Sequence, residues 1–253
     1  MSSTLRSLIK NETEIAAMRE GGHMLAYVLE VLRQTVQPGK TPIDMANLAR
    51  VELKKLGGQP AFLGFQGYPN VICISVNNQV QHSIPSTEPF VNGDVINFDF
   101  GVLHKGMITD GGITVCVGEP SPDAARLIKG TKEALDNSLK VIKDGVRVGE
   151  ISQCVEKTLR RYSLGIVREL VGHGVGHELH EDPEIPNYGV KDSGMLLKAG
   201  MTICVEPIST LGGHEIITDR DGWTLWTADG SWSAQFEHTI LVTTDGCEVL
   251  TSL

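Results

Sequence analysis

Residues 93–117 limit what this 253-residue chain can fold into more than any other stretch. They read as two apolar, β-branched runs on either side of a short turn, the pattern of a β-hairpin. With Leu103 and Gly106 closing a two-residue loop at His104-Lys105, Asp99 falls directly opposite Asp110. Like charges facing each other destabilise a hairpin, and carboxylates taken out of water are costly unless a counter-charge is present. A cation shared by both residues removes the two objections. The plainer alternative is a register one residue different, with one Asp solvated at the hairpin's edge.

Around this hairpin the chain repeats itself. Apolar residues at helical spacing over 13–36 end at Pro38-Gly39, and a second helix over 44–56 stops at Gly57-Gly58. A strand over 71–76, the peptide Val80-Gln81-His82-Ser83-Ile84-Pro85 and the hairpin follow. The second half offers helices over 124–142 and 150–162 and a strand over 200–207. Gly39 recurs as Gly145 after 106 residues, and Gly93 and Asp99 recur as Gly200 and Glu206 after 107. One repeat of that length predicts two related halves, about 12–120 and 121–250, packed about a pseudo-twofold axis in a single domain spanning 1–253.

Composition narrows the class. At 41% hydrophobic and 21% charged residues the chain can bury a substantial core. A formal charge of -9 argues against DNA and membrane-surface binding, which use clustered Lys and Arg. The N-terminus lacks the apolar core of a signal peptide and no segment reaches the ~18 apolar residues of a membrane span, so a cytoplasmic protein is expected. Five scattered cysteines, Cys73, Cys116, Cys154, Cys204 and Cys247, are read as free buried thiols.

Two stretches of the second half stand out. In 171–183, His-Glu-x-His spacing and three glycines that break any helix make a poor match to the continuous His-Glu-x-x-His helix of a zincin. The glycines flanking His173 instead suit a histidine held in a loop over a site. In 233–242, read as one strand, Glu237 interrupts an apolar run, and a buried Glu without a partner is rare. Asp99, Asp110, Glu206, Glu237 and His173 together form a ligand set for two divalent cations, provided Asp110 and Glu237 bridge. Paired cations can activate a water and polarise a carbonyl.

The motifs His82-Ser83-Ile84-Pro85, Asn97-Phe98-Asp99, Thr109-Asp110, Gly172-His173-Gly174-Val175-Gly176, His180-Glu181-Asp182-Pro183, Val205-Glu206-Pro207 and Gln235-Phe236-Glu237-His238-Thr239 resemble, in order and spacing, those of type I methionine aminopeptidases. The likeness runs from about residue 10 to the C-terminus. It implies an α+β pita-bread fold, with two α/β halves around a central antiparallel sheet and a dinuclear metal site between them. The ligands it implies are Asp99, Asp110 and Glu237 for one metal and Asp110, His173, Glu206 and Glu237 for the other. The metals are drawn from Co, Mn, Fe, Zn or Ni, and the residues do not identify which.

The resemblance further implies that a hydroxide between the metals attacks the scissile carbonyl, with Glu206 moving the proton. His180 would polarise that carbonyl and His82 stabilise the amide. Phe65, Tyr68, Cys73 and Trp223 would surround the methionine side chain. The substrates implied are N-termini of nascent polypeptides with a small second residue, met at the ribosome by a monomer. His177 and His238 are left with supporting roles, and His23, His104 and His214 with none. The chain departs from the family at Gly111-Gly112, where Ala, Thr or Ser is commoner, which predicts a looser strand beside Asp110. It also departs at Phe65, where Tyr is common. Prolidase-like and aminopeptidase P-like enzymes usually carry a further N-terminal domain, and a type II enzyme an insertion that the 33 residues from His173 to Glu206 do not hold. A non-catalytic peptide-binding relative would lack ligands that are all present here.

Overall fold

A computed structural model describes residues 8–253. Residues 1–7, on which the reading against a signal peptide partly rests, lie outside the described residues. Helix α1 (Glu12–Thr35) starts where Asn11 accepts the N–H groups of Thr13 and Glu14 and the Glu14 carboxylate accepts that of Asn11, which satisfies otherwise orphaned donors. Helix α2 (Pro42–Leu56) starts two residues before the sequence reading, because Thr41 caps it and Pro42 suits the first turn. It ends at Gly57, whose left-handed φ of 82° a side chain would disfavour. Helices α3 (Pro122–Leu139) and α4 (Val148–Arg161) form the corresponding pair of the second half.

Among the described residues, nine strands form one sheet. They are β1 (Gln59–Pro60), β2 (Cys73–Val76), β3 (Val95–His104), β4 (Met107–Cys116), β5 (Gly172–Gly174), β6 (Glu181–Ile185), β7 (Thr202–Val205), β8 (Glu237–Val242) and β9 (Cys247–Val249). The path across it is β1-β3-β4-β8-β7-β5-β6, with β2 also on β3 and β9 also on β8. All the pairings are antiparallel. The strand near the C-terminus, β8, is thus inserted between the hairpin and β7.

Alternation along β3 sends Phe98, Phe100 and Val102 into one core with Leu25, Val28 and Leu32 of α1 and Met45, Ala49 and Leu53 of α2. Each of these side chains larger than alanine contributes roughly 1.5–3 kcal/mol by leaving water. A second core joins Leu135 of α3 and Ile151 of α4 to Ile203 of β7 and Ile240 of β8.

The hairpin register differs from the sequence reading. His104 pairs with Met107, so the turn is Lys105-Gly106, and Asp99 lies opposite Gly112 while Asp110 lies opposite Gly101. Turn chemistry decides this. Both central residues of the tight hairpin turn need positive φ, and Lys105 (49°) with Gly106 (81°) supplies it with glycine in the second place. Asp99 and Asp110 are therefore diagonal neighbours on one face, not a facing pair.

Two other expectations change. Residues 233–242 are not one strand: Ser233–Gln235 pairs with Ile208–Thr210 in a separate sheet, and the chain crosses into the main sheet at Phe236. Pro207 marks the same crossing between β7 and Ile208–Thr210, and the Phe236 N–H donates to its carbonyl at 3.4 Å. His173 lies in β5 and not in a loop. Its flanking glycines serve close approach, since a Cβ on Gly172 would strike the Cys204 carbonyl and one on Gly174 that of Asp182.

Candidate metal centre and substrate pocket

Sheet register brings the acidic residues together. Glu237 and Asp99 both pair with Gly112, from either side, so the three form one row with a side-chain gap in its middle. Thr239 pairs with Cys204 and Gly174 with Ile203, which sets Cys204, Glu206 and His173 on that same face. Asp99, Asp110, His173, Glu206 and Glu237 are all between 3 and 8% exposed. Ligand atoms of Asp99, Asp110 and Glu237 lie within 4.8 Å of one another. His173 Nε2 is 3.7 Å from Glu206 Oε1.

Neighbours hold these groups in place. The Gln81 carboxamide donates to Asp99 Oδ2 at 2.8 Å and that of Gln235 to Glu237 Oε2 at 2.9 Å. Gln235 in turn accepts from Asn97 Nδ2 at 2.8 Å. Thr239 Oγ1 accepts the Asp110 N–H at 2.9 Å and donates to the Asp110 carbonyl at 2.7 Å. His173 Nδ1 lies 2.9 Å from the Gly174 carbonyl. A carbonyl only accepts, so Nδ1 carries the proton and Nε2 presents its lone pair.

The electrostatics are those of an unbalanced site. Burial and then its carboxylate neighbours push Asp99 and Glu237 well above the usual carboxylate range, and Glu206 is raised in the same way. Burial raises Asp110 to about 7. Burial lowers His173 to about 4, with His180 adding to the effect. Asp99 Oδ1 and Glu237 Oε1 are buried without any hydrogen-bond partner, a costly state for acceptors. Two orphaned oxygens, four crowded carboxylates and an imidazole lone pair fit divalent cations, and no basic side chain in the cluster does that work.

Above this floor lies a cavity of about 130 Å³, walled by Phe62, Phe65, Tyr68, Cys73, Leu179 and Trp223. Tyr68 is fixed by its hydroxyl, whose one proton is shared between the carbonyls of Ser83 (2.9 Å) and Ile72 (3.1 Å), and its ring meets Trp223 edge-on at 5.1 Å. Trp223 sits in a turn closed by the Asp221 carboxylate, which accepts its N–H at 2.7 Å. His82, at a left-handed φ of 57°, and His180 stand where the cavity opens into a wider cleft of about 680 Å³. His180 meets Phe65 edge-on at 5.3 Å and His173 at 4.5 Å. Burial, then His180, lowers His82 to about 4, and burial lowers His180 as well, so both rings are neutral near pH 7.

Every expected ligand and wall residue is thus found around one cavity. Sequence reasoning missed Gln81, Asn97, Gln235 and Thr239, which orient the floor, and Phe62 and Leu179, which complete the wall. Gln81 beside His82, Gln235 two residues before Glu237 and Leu179 beside His180 were the available signals. The other histidines do not line the cavity itself: His177, on the wall of the wider cleft, pairs with Glu14, and elsewhere His238 is engaged with Thr251, His23 with Ser252, His104 with Glu20 and His214 with Glu215. All five cysteines are free, but Cys116, Cys154 and Cys247 are only partly buried.

The Gly111-Gly112 departure has a different consequence from a loosened strand. A Cβ at Gly112 would lie 2.6 Å from Gln235 Oε1, so the missing side chain makes room for the carboxamide that holds Glu237.

The profile of metallopeptidase family M24 matches residues 16–244. The methionine aminopeptidase of Aquifex aeolicus is 39% identical over 253 residues, covering 96% of this chain and 98% of that protein. Methionine aminopeptidase 1 of Bacillus subtilis is 38% identical over 244 residues, covering 96% and 98%. The crystal structure of methionine aminopeptidase from Thermotoga maritima superposes with a TM-score of 0.96 at 41% identity, covering 97% of this chain and 99% of that one. Prolidase from Pyrococcus furiosus, at 22% identity and a TM-score of 0.82 over 99% of this chain and 67% of that one, shares the fold alone.

Proposed function

Because the chain belongs to metallopeptidase family M24, and within it to the methionine aminopeptidases, we propose that its cavity takes an N-terminal methionine and that the residues beneath it cut the following peptide bond. The α+β pita-bread fold is the one expected from the motifs. The observation that carries the reading is the pair of orphaned carboxylate oxygens, Asp99 Oδ1 and Glu237 Oε1, directly under an apolar and aromatic pocket.

Asp99, Asp110 and Glu237 would hold one divalent cation, and His173 and Glu206 with the bridging Asp110 and Glu237 a second. Such a pair, when bound, lowers the pKa of water and polarises a carbonyl. The chain's own side chains do the rest. The wall of Phe65, Tyr68, Cys73 and Trp223 receives the thioether, for which sulfur-aromatic contacts are each worth ~0.3–1.5 kcal/mol. His180 donates towards the scissile carbonyl oxygen and His82 towards the amide nitrogen, both as neutral imidazoles. Glu206, at the end of its strand beside His173, moves the proton to the leaving amine.

Substrates are the N-termini of nascent chains with a small second residue, processed in the cytoplasm, at the ribosome, by a monomer. No helix among the described residues is long and apolar enough to cross a membrane. The test is a cleavage assay of Met-Ala and Met-Leu peptides by metal-stripped protein, with each divalent cation added back separately. Faster cleavage of Met-Ala is expected, and equal rates would remove the small-residue rule.

A further inference from the structure

Beside the Asp99, Asp110 and Glu237 group lies a second cluster that shares Glu237: His173, Cys204 and Glu237, with ligand atoms within 4.8 Å of one another and all three residues buried. We propose that Cys204 supplies a sulfur donor to the cation held by His173 and Glu237, so that this centre is softer than its carboxylates alone would make it. The inference rests on the reading that the floor binds divalent cations.

Strand pairing fixes the geometry. Cys204 lies on β7, paired with Thr239 and next to His173 on β5, on the face that carries Glu206 and Glu237. Its sulfur lies 3.6 Å from Thr239 Oγ1 and within 4.8 Å of the Glu237 carboxylate, to which the thiol is hydrogen-bonded until a cation displaces its proton. The single Thr239 hydroxyl proton already goes to the Asp110 carbonyl at 2.7 Å, so the sulfur lone pairs receive no hydrogen bond from it. The buried oxygen that marks the floor belongs to this cluster as well: Glu237, 3% exposed, keeps Oε1 without a partner and is one of the three residues whose ligand atoms converge here.

The competing explanation treats Cys204 as a small apolar residue, since Ile15, Met18, Val175 and Leu241 pack around it. That packing keeps water from the sulfur while leaving it within reach of His173 and Glu237. Ligation replaces the Sγ–H bond by a sulfur-metal bond, and the displaced proton passes to solvent. A thiolate among oxygen donors and one imidazole shifts preference from manganese towards cobalt, zinc and cadmium.

The experiment loads metal-stripped, full-length protein with Co(II) and looks for a sulfur-to-cobalt charge-transfer band in the near ultraviolet. Cd(II) and Mn(II) affinities of wild type, Cys204→Ser and Cys204→Ala are then measured by calorimetry. The band is expected in wild type and in neither variant. Cd(II) affinity should fall by at least the ~10–100-fold that loss of a supporting group costs a metal site, and Mn(II) affinity by much less. Bound Co(II) without the band in wild type overturns the proposal before any variant is folded. A band that survives Cys204→Ser and is lost in Cys73→Ser overturns it by moving the donor to the other pocket thiol. Failure to bind Co(II) at all overturns the cation reading and this inference with it, a result distinct from binding with an oxygen and nitrogen spectrum.

Discussion

On the floor of the cavity, Asp99, Asp110, Glu206 and Glu237 stand on paired strands or at their ends, buried, with glutamines and a threonine fixing their orientation. On the rim, His82 follows a strand with a left-handed backbone, and His180 sits in the bend ahead of β6, open to the cleft on one side while its ring packs on Phe65 and His173. Floor residues are placed by sheet register, which cannot change by less than a whole residue. Rim residues are placed by local conformation and by single ring contacts. In the proposed mechanism the floor governs what is held, and the rim governs what happens to a substrate once it is there. Substitutions in the two regions should fail in different ways.

The largest effect should come from the bridging positions. Asp110→Asn and Glu237→Gln each remove a charge that the proposed ligand set shares between two cations, so cation affinity should drop by more than ~10–100-fold and turnover should be lost with it. Calorimetric titration giving unchanged stoichiometry and affinity in both would break the floor assignment.

His82→Ala and His180→Ala should keep their cations and their melting temperature yet lose ~10²–10³-fold in kcat, with KM nearly unchanged, because the lost donors act on charge that develops in the transition state. Metal content, melting temperature and kcat taken on one preparation decide this. Loss of metal would move either residue from rim to floor, and normal turnover at full occupancy would remove it from the reaction.

The third expectation sharpens the boundary. Gln235→Ala leaves Glu237 without its donor and should weaken cation binding by ~10–100-fold. Gly112→Ala should act in the same direction but less, since its Cβ would meet the movable end of Gln235 at 2.6 Å. Equal binding by wild type and Gln235→Ala would show that Glu237 is oriented without it.

The smallest effect is on stability. Asp110, at about 7, and Asp99, Glu206 and Glu237, raised well above normal, bind more protons folded than unfolded once pH exceeds the ordinary carboxylate value of about 4. Stability of the metal-free protein is then lost as pH rises. His82 and His173, lowered to about 4, act in the opposite sense, but their contribution is complete above the ordinary imidazole value of about 6.5. From about pH 6.5 to 8 the melting temperature of metal-free protein should fall, at ~2–4 °C per kcal/mol, and added cation should flatten the trend. A metal-free melting temperature that rises over this range would contradict the carboxylate assignment.

The same division explains what could be read from the sequence. Asp99, Asp110, Glu206 and Glu237 were legible because acids inside β-branched runs have no ordinary reason to be there. Their register was not: Lys105-Gly106 and His104-Lys105 are adjacent candidate turns, and only the φ requirement separates them. The break at Phe236 was hidden because 233–242 is uniformly strand-like, and the switch comes from different partners on either side of it. Gln81 and Gln235 look like surface residues until the fold buries them. Of the wall, Phe65, Tyr68, Cys73 and Trp223 came through resemblance, while Phe62 and Leu179 depended on loop paths that local pattern does not encode.

The placing of β8 between β4 and β7 has a consequence for how the molecule is made. Synthesis runs from N- to C-terminus, so the segment that completes the middle of the sheet leaves the ribosome after both of its neighbours. Until Glu237–Val242 arrives, β4 and β7 present open edges, the hazard that exposed strands pose for association with other chains. Glu237, the fifth of the proposed ligands, arrives on that same segment. A newborn copy consequently lacks Glu237 until that segment emerges, and the event that quenches its sticky edges is the one that brings this carboxylate to the cavity.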